Sequence, residues 1–227
     1  MKKFIVTLVF LFSFISFDTI LDSNAERIPE TNDSEKLFQQ KMAQLEEEMY
    51  IKNLVQYIEF ESEVIIPDRL DGKYIKFAFN LADSLELPTR TVFRLMYKES
   101  LFNDTIVSPV GAEGLMQLMP ETRNMYYDLL RVDTLNYDKN QEDIYIGLNL
   151  LNDLYNFWVS RGNSVNYSWK LALASYNAGR GAVLKHKGIP PYKETTDFVT
   201  FISKAHSNPR FFANYAQKYE NQIKRRS

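Results

Sequence analysis

Residues 87–100 read LPTRTVFRLMYKES, and this stretch decides the fold that we expect for the chain. Leu-Pro-Thr punctuates the preceding segment, and the residues from Thr91 to Ser100 are predicted to form a helix. At 100° per residue the helix has one apolar arc that also includes an acid, made of Val92, Leu95, Met96 and Glu99. The opposite arc is basic and holds Arg90, Arg94 and Lys98. A carboxyl group therefore lies where a hydrophobic side chain is expected.

Glu99 has two interpretations when it is considered alone. Burial disfavours the ionised form of a carboxylate and raises its pKa, which suits a general acid that must hold a proton near neutral pH. The alternative is a glutamate at a helix end that turns to solvent or pairs with an arginine or lysine. This one position does not decide between the two.

The rest of the chain also favours helices. Helical spacings of apolar residues separated by short links with Gly or Pro are seen at about 72–85, 120–131, 141–159 and 168–176. In the longest of these the predicted apolar face is Ile144, Leu148, Leu151, Tyr155 and Trp158. No series of segments has the alternation of apolar and polar residues that strands require, so the predicted fold class is mainly α. A short hairpin could still occur in a loop.

The segment after Glu99 combines glycines with polar side chains. It continues through Ser108 into Gly111-Ala112-Glu113-Gly114-Leu115-Met116-Gln117-Leu118-Met119-Pro120. Glycine permits a positive φ and a close approach of backbone to ligand, and the hydroxyl and amide groups of Ser108 and Gln117 suit a polyhydroxylated substrate. Alone, this loop could also be an ordinary turn.

Three ordered blocks carry a family resemblance: ES at Glu99, SPVGAEGLMQLMP at 108–120, and ASYNAG at 174–179. Together they resemble the lytic transglycosylase domain related to goose-type lysozyme, over about residues 87–199. The resemblance implies a mainly α, lysozyme-like (goose-type) helical domain, here with an N-terminal helical extension.

The resemblance also assigns roles to residues. Glu99 is similar to the family's catalytic acid and base, and the substrate-binding residues would be Ser108, Gln117, Tyr176 and Asn177. Three of the four have a structural alternative: Tyr176 could belong to the core, Gln117 could bond buried backbone, and Asn177 with the next two residues could simply stop a helix. Their order along the chain favours the functional interpretation.

Three positions depart from the family pattern. Phe198 stands where Tyr is usual, Asp143 where Asn is common, and Ile106 where a small residue is usual. These differences bear on specificity and local packing more than on the reaction class.

The implied activity is a peptidoglycan lytic transglycosylase that cleaves the MurNAc-GlcNAc β-1,4 bond and forms 1,6-anhydroMurNAc ends. The alternatives are a lysozyme-type hydrolase of the same bond and a non-catalytic glycan-binding scaffold of an envelope assembly. No cofactor and no metal are expected, since cysteine is absent and the two histidines, His186 and His206, fit no metal-ligand pattern.

The charge and composition of the chain predict its partners, its location in the cell and its division into segments. The net charge of −2 argues against a nucleic-acid partner. A signal peptide is predicted over 1–25 from two lysines, an apolar run and Ser23-Asn24-Ala25, with cleavage after Ala25 and export to the periplasm or cell envelope. A retained anchor over about 4–21 is the alternative.

Three segments are expected after the signal peptide. They are a polar linker and helical arm (26–66) that could bind envelope proteins, the catalytic domain (67–200) and a helical C-terminal extension (201–227).

Overall fold

The structure, a computed structural model, describes residues 32–204. These residues form eight α-helices and one short 3-10 helix, Val132–Thr134. The α-helices are α1 (Asn32–Ser62), α2 (Gly72–Ser84), α3 (Thr89–Ser100), α4 (Pro120–Leu129), α5 (Lys139–Val159), α6 (Val165–Ala178), α7 (Arg180–His186) and α8 (Lys193–Ser203). The mainly α prediction is confirmed. The predicted signal peptide and nearly all of the predicted C-terminal extension lie outside the described residues.

The chain divides into two compact units between Tyr57 and Ile58. The described part of the first unit is one continuous helix, α1. It begins at Asn32, within the segment where a polar linker was predicted. Several apolar side chains on this part of α1 are exposed: Leu37, Phe38, Leu45 and Met49. Among residues 32–204, none of the helices combines the length and hydrophobicity that a membrane span requires.

Helix α5 is the centre of the second unit, and α2, α4 and α6 pack against it. Its start is fixed by a capping box in which the Asp138 side chain accepts from the N–H of Gln141, and the Gln141 side chain accepts from the N–H of Asp138. The predicted apolar face is buried at Ile144, Leu148, Leu151 and Trp158, whereas Tyr155 is only half-buried.

Arg94 lies on the basic arc of α3, opposite the predicted apolar arc, and is nevertheless buried. Its side chain is only 3% exposed. The guanidinium donates to the carbonyl oxygens of Ser62, Phe201 and Lys204 and pairs with Glu63 at 2.6 Å. Because each buried donor has an acceptor, the buried charge is tolerated. It joins α3 to two other segments of the chain, 62–63 and 201–204.

Two helices near the end of the described region were not predicted. Helix α7 has seven residues, too few for a helical period to be recognised, and α8 contains the ET segment with its buried Phe198. Both surround the end of α6, where Gly179 with φ +84° is the C-cap residue, as its position after Asn177 predicted.

Candidate active site

Glu99 lies in the last turn of α3. The helix ends because Leu101 adopts a left-handed conformation with φ 50°, and Phe102 follows with φ 58°. The Glu99 side chain is half-buried, and within residues 32–204 its carboxyl group forms no hydrogen bond or ion pair. This arrangement leaves the carboxyl oxygens available to a ligand.

The surroundings of Glu99 change its acidity. Burial raises its pKa to about 8, the negative charge of Glu194 adds to the rise, and Lys98 opposes it. A carboxyl with this pKa is mostly protonated at neutral pH. Glu99 can therefore donate a proton and, once ionised, accept one.

The loop between α3 and α4 is a compact double turn. Isolated antiparallel bridges join Val107 to Glu113 and Glu113 to Leu118. The short hairpin that the sequence analysis allowed for in a loop is therefore present only as single bridges. Gly111 (φ +87°) and Gly114 (φ +73°) occupy backbone conformations that favour glycine, as their place beside Glu99 suggested.

The loop rests on α5 through two glycines. A Cβ at Gly114 would overlap the carboxylate of Asp143, and a Cβ at Gly147 would lie only 2.7–2.8 Å from side-chain atoms of Met116. Both Asp143 and Met116 are fully buried. The glycines thus allow the loop and the helix to approach more closely than any larger residue would permit.

Asp143 is ionically balanced by Arg123, which also pairs with Glu142 at 2.8 Å. A buried carboxylate requires such a partner, because an unpaired charge in the interior is costly. The arginine accounts for an aspartate at a position where the family commonly has a neutral asparagine.

Ser100 links α3 to the loop that follows it. Its buried hydroxyl lies 3.1 Å from the Met96 carbonyl oxygen within the helix and 3.0 Å from the Leu115 carbonyl oxygen in the loop. This serine belongs to the ES block, from which no role for it was predicted. Its hydrogen bond to Leu115 assigns it a positioning role beside Glu99.

Tyr176 comes from α6 and reaches the same region. Its hydroxyl donates to the Met116 carbonyl oxygen at 2.9 Å. Burial, with the negative charge of Glu99 as a second cause, raises the pKa of Tyr176 well above its usual value, so the phenol stays neutral. Tyr176 is thus a half-buried member of the site that also supports the loop.

Asn177 connects α6 to α8. Its amide nitrogen donates to Glu194 at 3.3 Å, and its amide oxygen accepts from the Thr195 hydroxyl at 2.7 Å. Glu194 was missed as a site residue, although the ET segment was noted. Only the fold shows that this exposed acid lies close enough to influence Glu99.

Gln117 and Ser108 both bond the loop backbone. Gln117 has φ 46°, and its amide nitrogen donates to the carbonyl oxygens of Gly114 and Ile106 at 3.0 and 3.2 Å. The Ser108 oxygen accepts from the Ala112 N–H at 2.9 Å. The structural alternative for Gln117 is therefore realised, while its amide oxygen and the Ser108 hydroxyl hydrogen form no hydrogen bond within the described residues and can serve a ligand.

The described residues of the site do not form a set of metal ligands. In the described part of the chain, no group of three or more His, Asp or Glu side chains is arranged to hold an ion. The chemistry available at the site is that of Glu99, with hydroxyl and amide groups and the Glu194 carboxylate near it.

The fold and the site define a helical domain built around one glutamate suited to general acid–base chemistry. The family model described as the transglycosylase SLT domain matches residues 77–199, more than half of the chain. The chain belongs to this family, which confirms the resemblance carried by the three sequence blocks.

Two solved structures are similar in part. One is a complex of the 70-kDa soluble lytic transglycosylase with bulgecin A (24% identity, TM-score 0.48), covering 60% of this chain and 24% of that one. The other is the 70 kDa soluble lytic transglycosylase Slt70 from Escherichia coli (22% identity, TM-score 0.47), covering 69% and 28%. The match thus spans about a quarter of the length of these proteins.

Proposed function

We propose that this protein is a peptidoglycan lytic transglycosylase that cleaves the β-1,4 bond between MurNAc and GlcNAc and leaves a 1,6-anhydroMurNAc end. Two facts support the proposal: the chain belongs to the SLT transglycosylase family, and Glu99 is a half-buried acid with a pKa of about 8. The second carries the mechanism, because an acid that is protonated at neutral pH can start glycosidic cleavage.

In the first step Glu99 donates its proton to the bridging oxygen, and the bond from that oxygen to C1 of the muramic acid breaks. The substrate's own acetamido group stabilises the positive charge at C1, so the protein need not supply a second carboxylate as nucleophile. The GlcNAc side leaves with a new hydroxyl group. Glu99 is now ionised.

In the second step the Glu99 carboxylate removes the proton from the muramic acid C6 hydroxyl, whose oxygen attacks C1. The new C1–O6 bond closes the anhydro ring, and Glu99 regains the proton that it gave. No water is consumed. Ser108, Gln117, Tyr176 and Asn177 would hold the glycan through hydroxyl and amide groups during both steps.

Hydrolysis is the second candidate, and Glu194 favours it. If this second carboxylate activated water, Glu99 would serve as the acid and Glu194 as the base, as in glycosidases with two carboxylates. However, Glu194 is exposed and bonded by the Asn177 amide, which fits a supporting role better. A glycan-binding scaffold without turnover would leave the raised pKa of Glu99 unused.

Export to the periplasm or cell envelope, after cleavage behind Ala25, belongs to the same proposal because the substrate lies outside the cytoplasm. The exposed apolar side chains of α1 at Leu37, Phe38, Leu45 and Met49 are candidate contacts for envelope proteins.

Mass spectrometry of the muropeptides released from purified sacculi tests the proposed reaction. Transglycosylation predicts products that are one water lighter than those of hydrolysis. Products with ordinary reducing ends would instead establish a hydrolase, and the absence of any released product would favour the scaffold.

A further inference from the structure

A cavity lies away from Glu99, beside the link between α2 and α3. It has a volume of about 470 Å³, and its walls come from this link, α5 and α6. Pockets of this volume between helices are common places for small ligands. Pro88 in its wall precedes the first turn of α3, whereas Glu99 lies in the last turn. The two sites are therefore roughly 16 Å apart along this helix, at a rise of about 1.5 Å per residue.

Two aromatic rings form part of the cavity wall. Tyr155 of α5 and Trp169 of α6 stack with ring centroids 4.1 Å apart and an interplanar angle of 17°. Both side chains are half-buried. The mutual stacking holds the rings in place, so a ligand would meet a surface that is already ordered.

The polar ends of these rings have no partner in the protein. Neither the Trp169 indole N–H nor the Tyr155 hydroxyl forms a hydrogen bond within residues 32–204. Both side chains are only half-buried, and neither polar atom is among the described buried atoms that lack a partner, so both are open to water. Because both residues line a cavity, a ligand there can replace water as the acceptor or donor.

Two asparagines add further hydrogen-bonding groups. Asn156 donates through its amide nitrogen to the Asn152 amide oxygen at 3.3 Å, which leaves the Asn152 amide nitrogen and the Asn156 amide oxygen for a ligand. Glu86 is the charged residue of the lining, and none of the described residues that line the cavity is a lysine or arginine. An anionic ligand such as a phosphate polymer is therefore disfavoured.

We propose that this cavity is a second glycan-binding site, specific for a neutral N-acetylated sugar unit. Aromatic faces pack against the C–H groups of a sugar ring, while neutral amides and the indole N–H bond hydroxyl and acetamido groups. The assignment of a wall glycan as the natural occupant rests on the proposed function. The site would hold a strand that is not, at that sugar, undergoing cleavage at Glu99.

The two tryptophans of the chain allow a direct test. In the Glu99→Gln protein, the indole N–H resonances are followed by NMR during titration with tetra-N-acetylchitotetraose. We expect the Trp169 resonance to shift saturably, whereas Trp158 should not shift, because its indole is buried and bonded to Ser175. A titration that leaves Trp169 unmoved would overturn the proposal.

Sedimentation with sacculi tests the same site on the polymer, with two variants of the Glu99→Gln protein. Trp169→Ala removes the ring, and Asn156→Arg places a bulky cation at an exposed position of the lining without opening the core. Each should weaken retention about fivefold or more, the factor that corresponds to losing one such contact. Tyr167→Ala removes an exposed ring of α6 outside the cavity and should retain normal binding.

The outcomes separate this proposal from the proposed function. Normal retention by folded Asn156→Arg would overturn the glycan site and leave the cavity to a protein ligand. Saturable shifts of Trp169 in a protein whose wild type cleaves no glycan would support the second site and overturn the lytic function alone.

Discussion

Glu99 is half-buried and has no hydrogen-bonding partner within the described residues. Its raised pKa determines how much the ionised side chain destabilises the folded protein. In the folded protein the pKa is about 8 instead of its ordinary value of 4.5. The folded state therefore binds the proton more tightly than the unfolded state, and stability is lost as the pH rises from about 4.5 through 8. Glu99 therefore decreases the stability of the folded protein when it is ionised.

The first prediction concerns the acidic neighbour of Glu99. Because the charge of Glu194 raises the pKa of Glu99, Glu194→Gln should move the alkaline limb of the kcat/KM profile to lower pH. The shift should be less than about one pH unit, since Glu194 is exposed and its charge is screened. The enzyme should remain active at pH 6.

Asp197→Asn is the matched control, because it removes an exposed acid from the same helix that pairs with Lys193 instead. It should leave the profile unchanged. Complete loss of activity in Glu194→Gln at every pH would identify Glu194 as a second catalytic carboxylate and favour hydrolysis.

The second prediction concerns the Tyr176 hydroxyl, which donates to the Met116 carbonyl. Tyr176→Phe should lower stability by about 0.5–1.5 kcal/mol, the usual net contribution of one hydrogen bond, and should also reduce kcat. Calorimetry and kinetics on sacculi measure the two effects. Tyr126→Phe loses a comparable bond to Asp153 away from Glu99 and should affect stability alone. Equal kcat in the two variants would make Tyr176 a purely structural residue.

At the scale of elements, the contact between the loop and α5 holds the site in shape. Gly147→Ala would press a methyl group against Met116, whose carbonyl oxygen accepts from Tyr176. We expect a stability loss of about 1–3 kcal/mol, as for other overpacked cores, together with reduced turnover.

Gly181→Ala is the corresponding control, since its Cβ would meet nothing within 4 Å. The helix propensity of alanine should then stabilise α7 by up to about 1 kcal/mol. If both alanine variants melted at or above the wild-type temperature, the close approach of loop and helix would not constrain the site.

The helices that could be predicted are those with a clear helical spacing of apolar residues. The helix ending at Ser100 and the long helix ending at Val159 were predicted with nearly correct bounds, because each has apolar residues at helical spacing. The short α7 and the burial of Arg94 could not be predicted, since seven residues give no period and a buried arginine depends on carbonyl groups from distant segments. The nearness of Glu194 to Glu99 likewise arises only when α8 packs against α3.

At the scale of the whole molecule, export is the central prediction. Lys2 and Lys3, the apolar run and Ser23-Asn24-Ala25 predict that the mature protein begins at Glu26. Intact-mass analysis of the protein from an envelope fraction measures its N-terminus. A mass that includes Met1 would support a retained anchor, and a protein found only in the cytoplasm would contradict the proposed function.

Glu99 is the one residue to which we assign proton transfer, and Glu194 is the acidic group that acts on its pKa. Glu99→Gln retains the shape of the side chain but cannot exchange a proton. The fold should survive, and above pH 8 the variant should be more stable than the wild type by about 1–3 kcal/mol, because the cost of ionising a half-buried carboxyl disappears. Calorimetry across pH 4–9 measures this difference, which should vanish near the acidic end.

The release of anhydromuropeptides from sacculi by wild type and Glu99→Gln is the most direct test. General acid–base catalysis contributes about 10² to 10⁴-fold, and Glu99 is assigned both transfers, so the rate should fall by at least the upper part of that range. Release at more than about a tenth of the wild-type rate, a smaller loss than one proton transfer accounts for, would contradict the assignment of Glu99 as the acid and base.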